Sequence, residues 1–252
     1  MHPSLRSLTH RPWALPAGPW VMAQNWHDLL FAHWPVSLEI LRGLIPRALE
    51  VDEFDGQAWI SVVPFSMSGV RVRGTPSMPW LSAFPELNVR TYVVVDGKPG
   101  VWFFSLDAAN PLAVQIARRW LRLPYFHARM SAIAGPERIE YSSRRDDRGS
   151  GPAQFEASYA AVGPSFNARP GTLEYFLTER YCLYAEKPDA EVLRGEIHHA
   201  PWSLQEARAS FGGNTMAESL GFDLSGPPAL LNFAKLQEVV VWWPEQVRSP
   251  PR

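Results

Sequence analysis

Glu86, Asn88, Arg90 and Tyr92 recur at every second position in the segment FPELNVRTYVVV. In an extended chain that spacing puts all four side chains on one face. Together they offer a carboxyl group that can give or take a proton, an amide, a permanent cation and a phenol. A guanidinium suits a carboxylate, which it can hold through two parallel hydrogen bonds. Glu86 is therefore the candidate acid or base, and Asn88 and Arg90 are candidate ligand-binding residues. Glu86 and Arg90 stand about 13 Å apart along a strand, too far to pair with each other. Each needs a partner from elsewhere or a ligand: Asp107 or Glu179 for Arg90, Arg118 or Arg180 for Glu86. Asp107, Arg118 and Arg180 complete the ligand-binding candidates. The same alternation also fits the wet face of an ordinary half-buried sheet.

The element that positions these groups is a hairpin. Leu87, Val89, Thr91 and Val93 form the opposite, apolar row, and Asp96-Gly97 is a strong turn signal between two β-prone runs. On the returning strand, alternation puts Phe103, Ser105 and Asp107 on one side and Trp102, Phe104 and Leu106 on the other. Asn110-Pro111 then reads as the cap and first turn of a helix running to about Leu123, followed by an extended return to Met130. A helix start beside a strand end is a usual place for an anion.

Elsewhere, Met22 to Trp34 reads as a first strand, with His27 and His33 structural. Ser37 caps a short helix, Leu38 to Leu44. Asp55-Gly56 turns into a strand from Gln57 to Val63, and Arg71 to Pro85 reads as a loop able to line a cavity mouth. Ile133 to Tyr141, Ala153 to Ala161 and Leu193 to Ile197 alternate as strands. The intervening RRDDRGSG reads as a solvated turn with no partner. Thr172 opens a short helix that leads into the strand ERYCLYAE, with Glu179 and Tyr181 on one face and Arg180 and Cys182 on the other. Pro201 to Ala207 reads as a helical turn, and Glu238 to Trp243 as the last strand.

At 252 residues and a net charge of −1, the chain can bury a core but gives no electrostatic case for nucleic acid or an anionic membrane. Twenty-four prolines disfavour long helices. The one cysteine, Cys182, reads as a small buried hydrophobe. No 18-residue apolar run is present, and MHPSLRSLTHRPW lacks the apolar core of a secretory signal, so a cytoplasmic protein is expected. Phosphate-loop, dinucleotide, Ser-hydrolase and zinc-helix motifs are missing, and His198-His199 would face opposite ways on a strand. No cofactor and no metal are expected.

The phrases FPELNVRTYV, GVWFFSLDA, ARRWLRLPYFHARM, LTERYCLY and IHHAPW resemble the YqjF-like family of uncharacterised bacterial proteins, which is related to acetoacetate decarboxylase. The likeness runs from GPWVMAQNWHDLLFAHWPV to VVVWWP. It implies a β-rich α+β fold: an antiparallel, cone-shaped β-barrel with peripheral helices and a ligand cavity inside. Residues 1–19 are expected to be an extended segment and 20–252 a single domain of that kind. The decarboxylase uses a lysine of depressed pKa to attack a ketone, as one of two consecutive lysines that follow a Pro shortly before a Tyr-Pro. Laid onto this chain, that pair falls on Arg118-Arg119, upstream of Leu123-Pro124-Tyr125, and a guanidinium cannot form a Schiff base. Lys98 and Lys187 sit in turns; Lys235 is the outside candidate. Glu86 falls where the resemblance puts the decarboxylase's active-site acid.

The expected function is binding of a small organic acid or carbonyl compound in the barrel cavity, without the Schiff-base lysine. The alternative is a lyase or hydratase using Glu86 as acid/base and Arg90 to orient a carboxylate. The expected partner is a small-molecule ligand, with no nucleic acid and no membrane; a homo-oligomer stays open.

Overall fold

The computed structural model describes residues 2–77, 82–120, 122–147, 150–187 and 189–247. A 3-10 turn at Pro3–Arg6 precedes β1 (Met22–Val36), α1 (Leu38–Leu44), β2 (Glu50–Val51), β3 (Ala58–Val72), β4 (Phe84–Val95), β5 (Lys98–Ala108) and α2 (Pro111–Trp120). Next come β6 (Tyr125–Ala134), β7 (Ile139–Arg145), β8 (Gln154–Phe166), α3 (Leu173–Thr178), β9 (Cys182–Glu186) and β10 (Val192–His198). The chain closes with β11 (Leu204–Asn214), a 3-10 turn at Glu218–Leu220, β12 (Leu230–Val241) and β13 (Glu245–Gln246). Leu121, where the expected first helix would have continued, lies outside the described residues, as do parts of two expected turns (Arg148 and Gly149; Pro188) and residues 78–81 of the expected loop.

The β4–β5 hairpin forms as its residues dictate. Asp96 and Gly97 both take positive φ, 52° and 70°, the turn geometry whose twist matches that of the flanking strands. Asn110 caps α2, its Oδ1 accepting from the backbone N–H of Leu112 at 3.0 Å and Ala113 at 3.1 Å, which answers the orphan donors of a helix start. Ser37 and Thr172 cap α1 and α3 in the same way.

The strand pairings run in two rings that share five strands. One goes from β5 through β6, β7, β8, β11, β12, β1, β3 and β4 back to β5; the other goes from β12 through β1, β3, β4, β5, β9 and β10 back to β12. Shared strands are therefore covered on both faces. On β4 the apolar row, Leu87, Val89 and Val93, joins the main core with Leu30, Ile60, Val62, Tyr141, Phe155 and Tyr159. The polar row faces the other ring.

Several expectations are corrected. The sheet is mixed rather than wholly antiparallel: β5 pairs in parallel with β6 and with β9. The β5-to-β6 connection carries α2, and such a helical crossover delivers the next strand parallel. Ile133–Tyr141 is not one strand, because a turn closed by Gly135 N–H donating to Arg138 O at 2.9 Å separates β6 from β7. Residues 201–207 are not helical; β11 begins at Leu204, which pairs with Ala234 on one side and Phe166 on the other. The last long strand begins at Leu230 rather than Glu238. The N-terminal segment holds a 3-10 turn at Pro3–Arg6 and a buried Arg11 whose Nη2 donates to Glu196 Oε2 at 2.5 Å. Among the described residues no helix is long and apolar enough to cross a membrane.

Candidate functional site

Inside the second ring lies a cavity of about 100 Å³. β4 contributes Glu86, Asn88 and Arg90; β1 contributes Gln24, Trp26 and Phe31; Arg180, His199 and Trp202 close the far side. Most of the remaining wall is apolar, including Val63, Phe65, Phe103 and Leu106.

Glu86 is 2 % exposed, and its one side-chain partner among the described residues is the Tyr125 hydroxyl, which donates to Oε2 at 3.0 Å. Among the described residues no cation offsets the carboxyl. Burial pushes it up to about 8, against the opposing pull of the Tyr125 hydrogen bond and with added repulsion from Asp107. At neutral pH Glu86 is therefore largely a neutral acid. The backbone beneath is pinned by Tyr141, whose hydroxyl donates to Glu86 O at 2.7 Å.

Arg90 supplies the opposite character. Its Nη2 donates to the Leu177 carbonyl at 3.1 Å, and its Cζ lies 5.4 Å from the Phe31 ring centroid and 5.8 Å from that of Tyr92. Among the described residues it meets no carboxylate, and its Nε has no hydrogen-bond partner. Among the described residues Asn88, 5 % exposed, has no partner for Oδ1, and the Trp26 indole N–H is likewise unpartnered. A cation, an acceptor and a donor thus line the cavity with hydrogen-bonding capacity unspent, which natural interiors rarely leave so.

Arg180 reaches the same cavity, but its charge is spent. Nη1 donates to Asp52 Oδ2 at 2.5 Å, Nε donates to Phe176 O at 2.6 Å, and the guanidinium lies over the Phe176 ring at 4.3 Å. His199 lies against the Tyr181 ring at 4.6 Å, and burial lowers it to about 4, leaving a neutral imidazole. Its Nδ1 lies 2.8 Å from Ala200 O and 3.1 Å from Gln237 Nε2.

Two predicted residues lie elsewhere. The β4–β5 register passes from Val89 opposite Ser105 to Arg90 opposite Phe103, leaving Phe104 as a bulge. The extra residue reverses the alternation, so Val101, Phe103 and Leu106 face the cavity while Asp107 points away. There Asp107, 0 % exposed, accepts from Arg145 Nη2 at 2.6 Å and Nε at 3.0 Å. Arg145, in the expected solvated turn, instead ends β7 with its side chain 7 % exposed. Arg118 is on the outer side of α2, where its Nε donates to Tyr125 O at 2.6 Å and Nη2 donates to Asp147 Oδ2. Glu179 does not serve Arg90 either; it accepts from the Tyr181 hydroxyl at 2.5 Å and Trp202 N at 2.9 Å.

The three lysines point away from the cavity. Lys98 pairs with Glu196 at 2.9 Å, Lys187 with Glu191, and Lys235, 72 % exposed in its side chain, with Asp28 at 2.5 Å. Sequence reasoning missed Tyr125, Gln24, Trp26, His199 and Trp202 as wall residues. Tyr125 carried a signal as the residue after Leu123-Pro124; the others lie on segments that fold back from far along the chain.

The fold is similar to that of acetoacetate decarboxylase-like proteins. A solved acetoacetate decarboxylase superposes with a TM-score of 0.63 at 12 % identity, over 99 % of this chain and 98 % of that one. The enduracididine biosynthesis enzyme MppR, complexed with the condensation product of pyruvate and imidazole 4-carboxaldehyde, gives 0.62 at 11 % identity, over 93 % and 92 %. The chain belongs to the DUF2071 family of uncharacterized conserved proteins, whose model matches residues 23–237. It is 46 % identical over 230 residues to the uncharacterized protein YqjF of Bacillus subtilis strain 168, covering 91 % of this chain and 93 % of the relative.

Proposed function

We propose that the protein binds a small carboxylate, an organic acid or oxo acid, within the second ring. On this reading, residues 20–252 act as one domain and the ring closes as a cone-shaped barrel whose lumen is the binding cavity. The observation that carries the reading is Arg90: a cavity-facing cation anchored to a backbone carbonyl and, among the described residues, lacking a carboxylate partner. A carboxylate ligand would offset that charge with charge-assisted hydrogen bonds. Trp26 N–H and the neutral Glu86 acid can donate to ligand oxygens, while Asn88 Oδ1 can accept from a ligand hydroxyl. Covalent catalysis through a lysine forms no part of the proposal, since none of the three lysines lines the cavity and Arg118-Arg119 stand where the decarboxylase pair would fall. The pyruvate-derived ligand of MppR is chemistry of the class proposed here, on the same fold.

A second reading, a lyase or hydratase, is favoured by one observation. Glu86 is a buried acid held near 8 and hydrogen-bonded to Tyr125, poised to transfer a proton near neutral pH. Calorimetric titration with propanoate and its uncharged isostere propanamide tests the binding proposal. Carboxylate recognition requires propanoate to bind at least tenfold more tightly at pH 7; equal affinity, or binding of the amide alone, contradicts it. Release of product from a 3-hydroxy or 3-oxo acid, lost in Glu86→Gln, would favour the enzyme.

A further inference from the structure

A second chamber, of about 290 Å³, lies against the first and shares Met22, Gln24, Met67, Glu86 and Tyr125 with it. The wall that the two have in common thus includes the Glu86–Tyr125 hydrogen bond. The two spaces differ in chemistry. The inner one holds the unmatched Arg90 guanidinium. The outer one is walled by Val70, Val72 and Phe84 from the sheet and by Ala113, Ile116 and Ala117 from α2. Among the described residues its one cationic wall residue is Arg71, which donates from Nη1 to Gly69 O at 3.0 Å, and its one acidic wall residue is Glu86. Ile116 is 41 % exposed, so the apolar space reaches the protein surface beside α2.

A polar, cationic inner end joined to an apolar outer end fits a molecule built the same way. We propose that the ligand is amphiphilic: a linear carboxylic acid whose carboxylate lies on Arg90 and whose hydrocarbon chain runs past Glu86 and Tyr125 into the outer chamber. The inference rests on the carboxylate reading above and names the substrate class. Each methylene moved from water into the chamber tightens binding roughly fourfold, the equivalent of about 0.8 kcal/mol.

Titration calorimetry of the full-length protein with propanoate, pentanoate and octanoate tests it. Affinity is expected to climb along the series, with octanoate, five methylenes longer, tighter than propanoate by up to about a thousandfold. Ala113→Trp, which fills the chamber from α2, is expected to erase that increment, so that octanoate binds no more tightly than propanoate. Should that variant fail to fold, Ile116→Glu, at a position already open to solvent, places a carboxylate beside the chain and is expected to erase it too. Propanoate and octanoate binding equally to the native protein would overturn the amphiphile and leave carboxylate recognition standing. An increment that survives both variants would also overturn it. Failure of all three acids to bind would overturn both readings.

Discussion

Glu86 and Arg90, two turns of the pleat apart on the same face of β4, do not neutralise each other: the acid takes the Tyr125 hydroxyl at 3.0 Å and the cation takes the Leu177 carbonyl at 3.1 Å. Each is left with capacity for a ligand. The separation follows from strand geometry, and its consequences can be measured.

Stability should depend on pH in a way that exposes Glu86. Its folded value of about 8 exceeds the 4.5 of an unhindered carboxyl. Between those values the folded state binds more protons than the unfolded state, so stability falls as pH rises through this window and the loss is complete above about 8. His198 and His199 act in the opposite sense. Burial lowers both to about 4, so their contribution is lost as pH falls from about 6.5 towards 4. A stability profile with a maximum between the two limbs is expected. Glu86→Gln should remove the fall above about pH 6.5 and steepen the rise below it, with thermal midpoints at pH 5, 7 and 9 as the readout. An alkaline limb unchanged in that variant would contradict the buried, uncompensated acid.

The Asp107–Arg145 pair is predicted to be structural. Asp107→Ala leaves the Arg145 guanidinium, 7 % exposed, without its carboxylate, and breaking a buried pair from one side costs about 3–5 kcal/mol. Urea unfolding should show a lower midpoint with little change in slope. A loss below about 1 kcal/mol would mean that water reaches the pair readily.

The N-terminal segment should behave as part of the fold. Arg11 donates to Glu196 Oε2 at 2.5 Å and to Ile197 O at 2.6 Å, with its guanidinium 5.2 Å from the Tyr181 ring centroid. Arg11→Ala is expected to expose residues before Trp20 to limited proteolysis and to lower stability on the same scale as other broken buried pairs, about 3 kcal/mol. Unchanged cleavage would show that Glu196's other partners, Lys98, Trp13 and Arg194, hold the segment without Arg11.

Borohydride treatment in the presence of acetoacetate should leave the intact mass unaltered, because Lys98, Lys187 and Lys235 are all ion-paired outside the cavity. An adduct mapped to any of them, Lys235 above all, would revive Schiff-base chemistry.

The polar row of β4 was readable because a period of two is local, and so was the Asp96-Gly97 turn. The bulge at Phe104 was not, since it is set by which residues of β4 stand opposite β5; its one extra residue moved Asp107 to the other face. Pro201 to Ala207 carries helix-start residues, yet pairing with both β8 and β12 at Leu204 outweighs that local preference. Arg11 and Glu196 lie 185 positions apart, and nothing local to either names the other. Trp26, His199 and Trp202 became cavity walls through the same long-range ring closure.

Titration of pyruvate into the Arg90→Met variant tests carboxylate recognition most directly. Methionine keeps much of the apolar contact with Phe31 and Tyr92 while removing the charge. The account predicts that pyruvate binding, measurable in the native protein, falls at least thirtyfold, on the order of the 2 kcal/mol or more carried by a charged hydrogen-bonded contact, with the thermal midpoint within a few degrees of native. Native-like affinity in a folded Arg90→Met protein would contradict it.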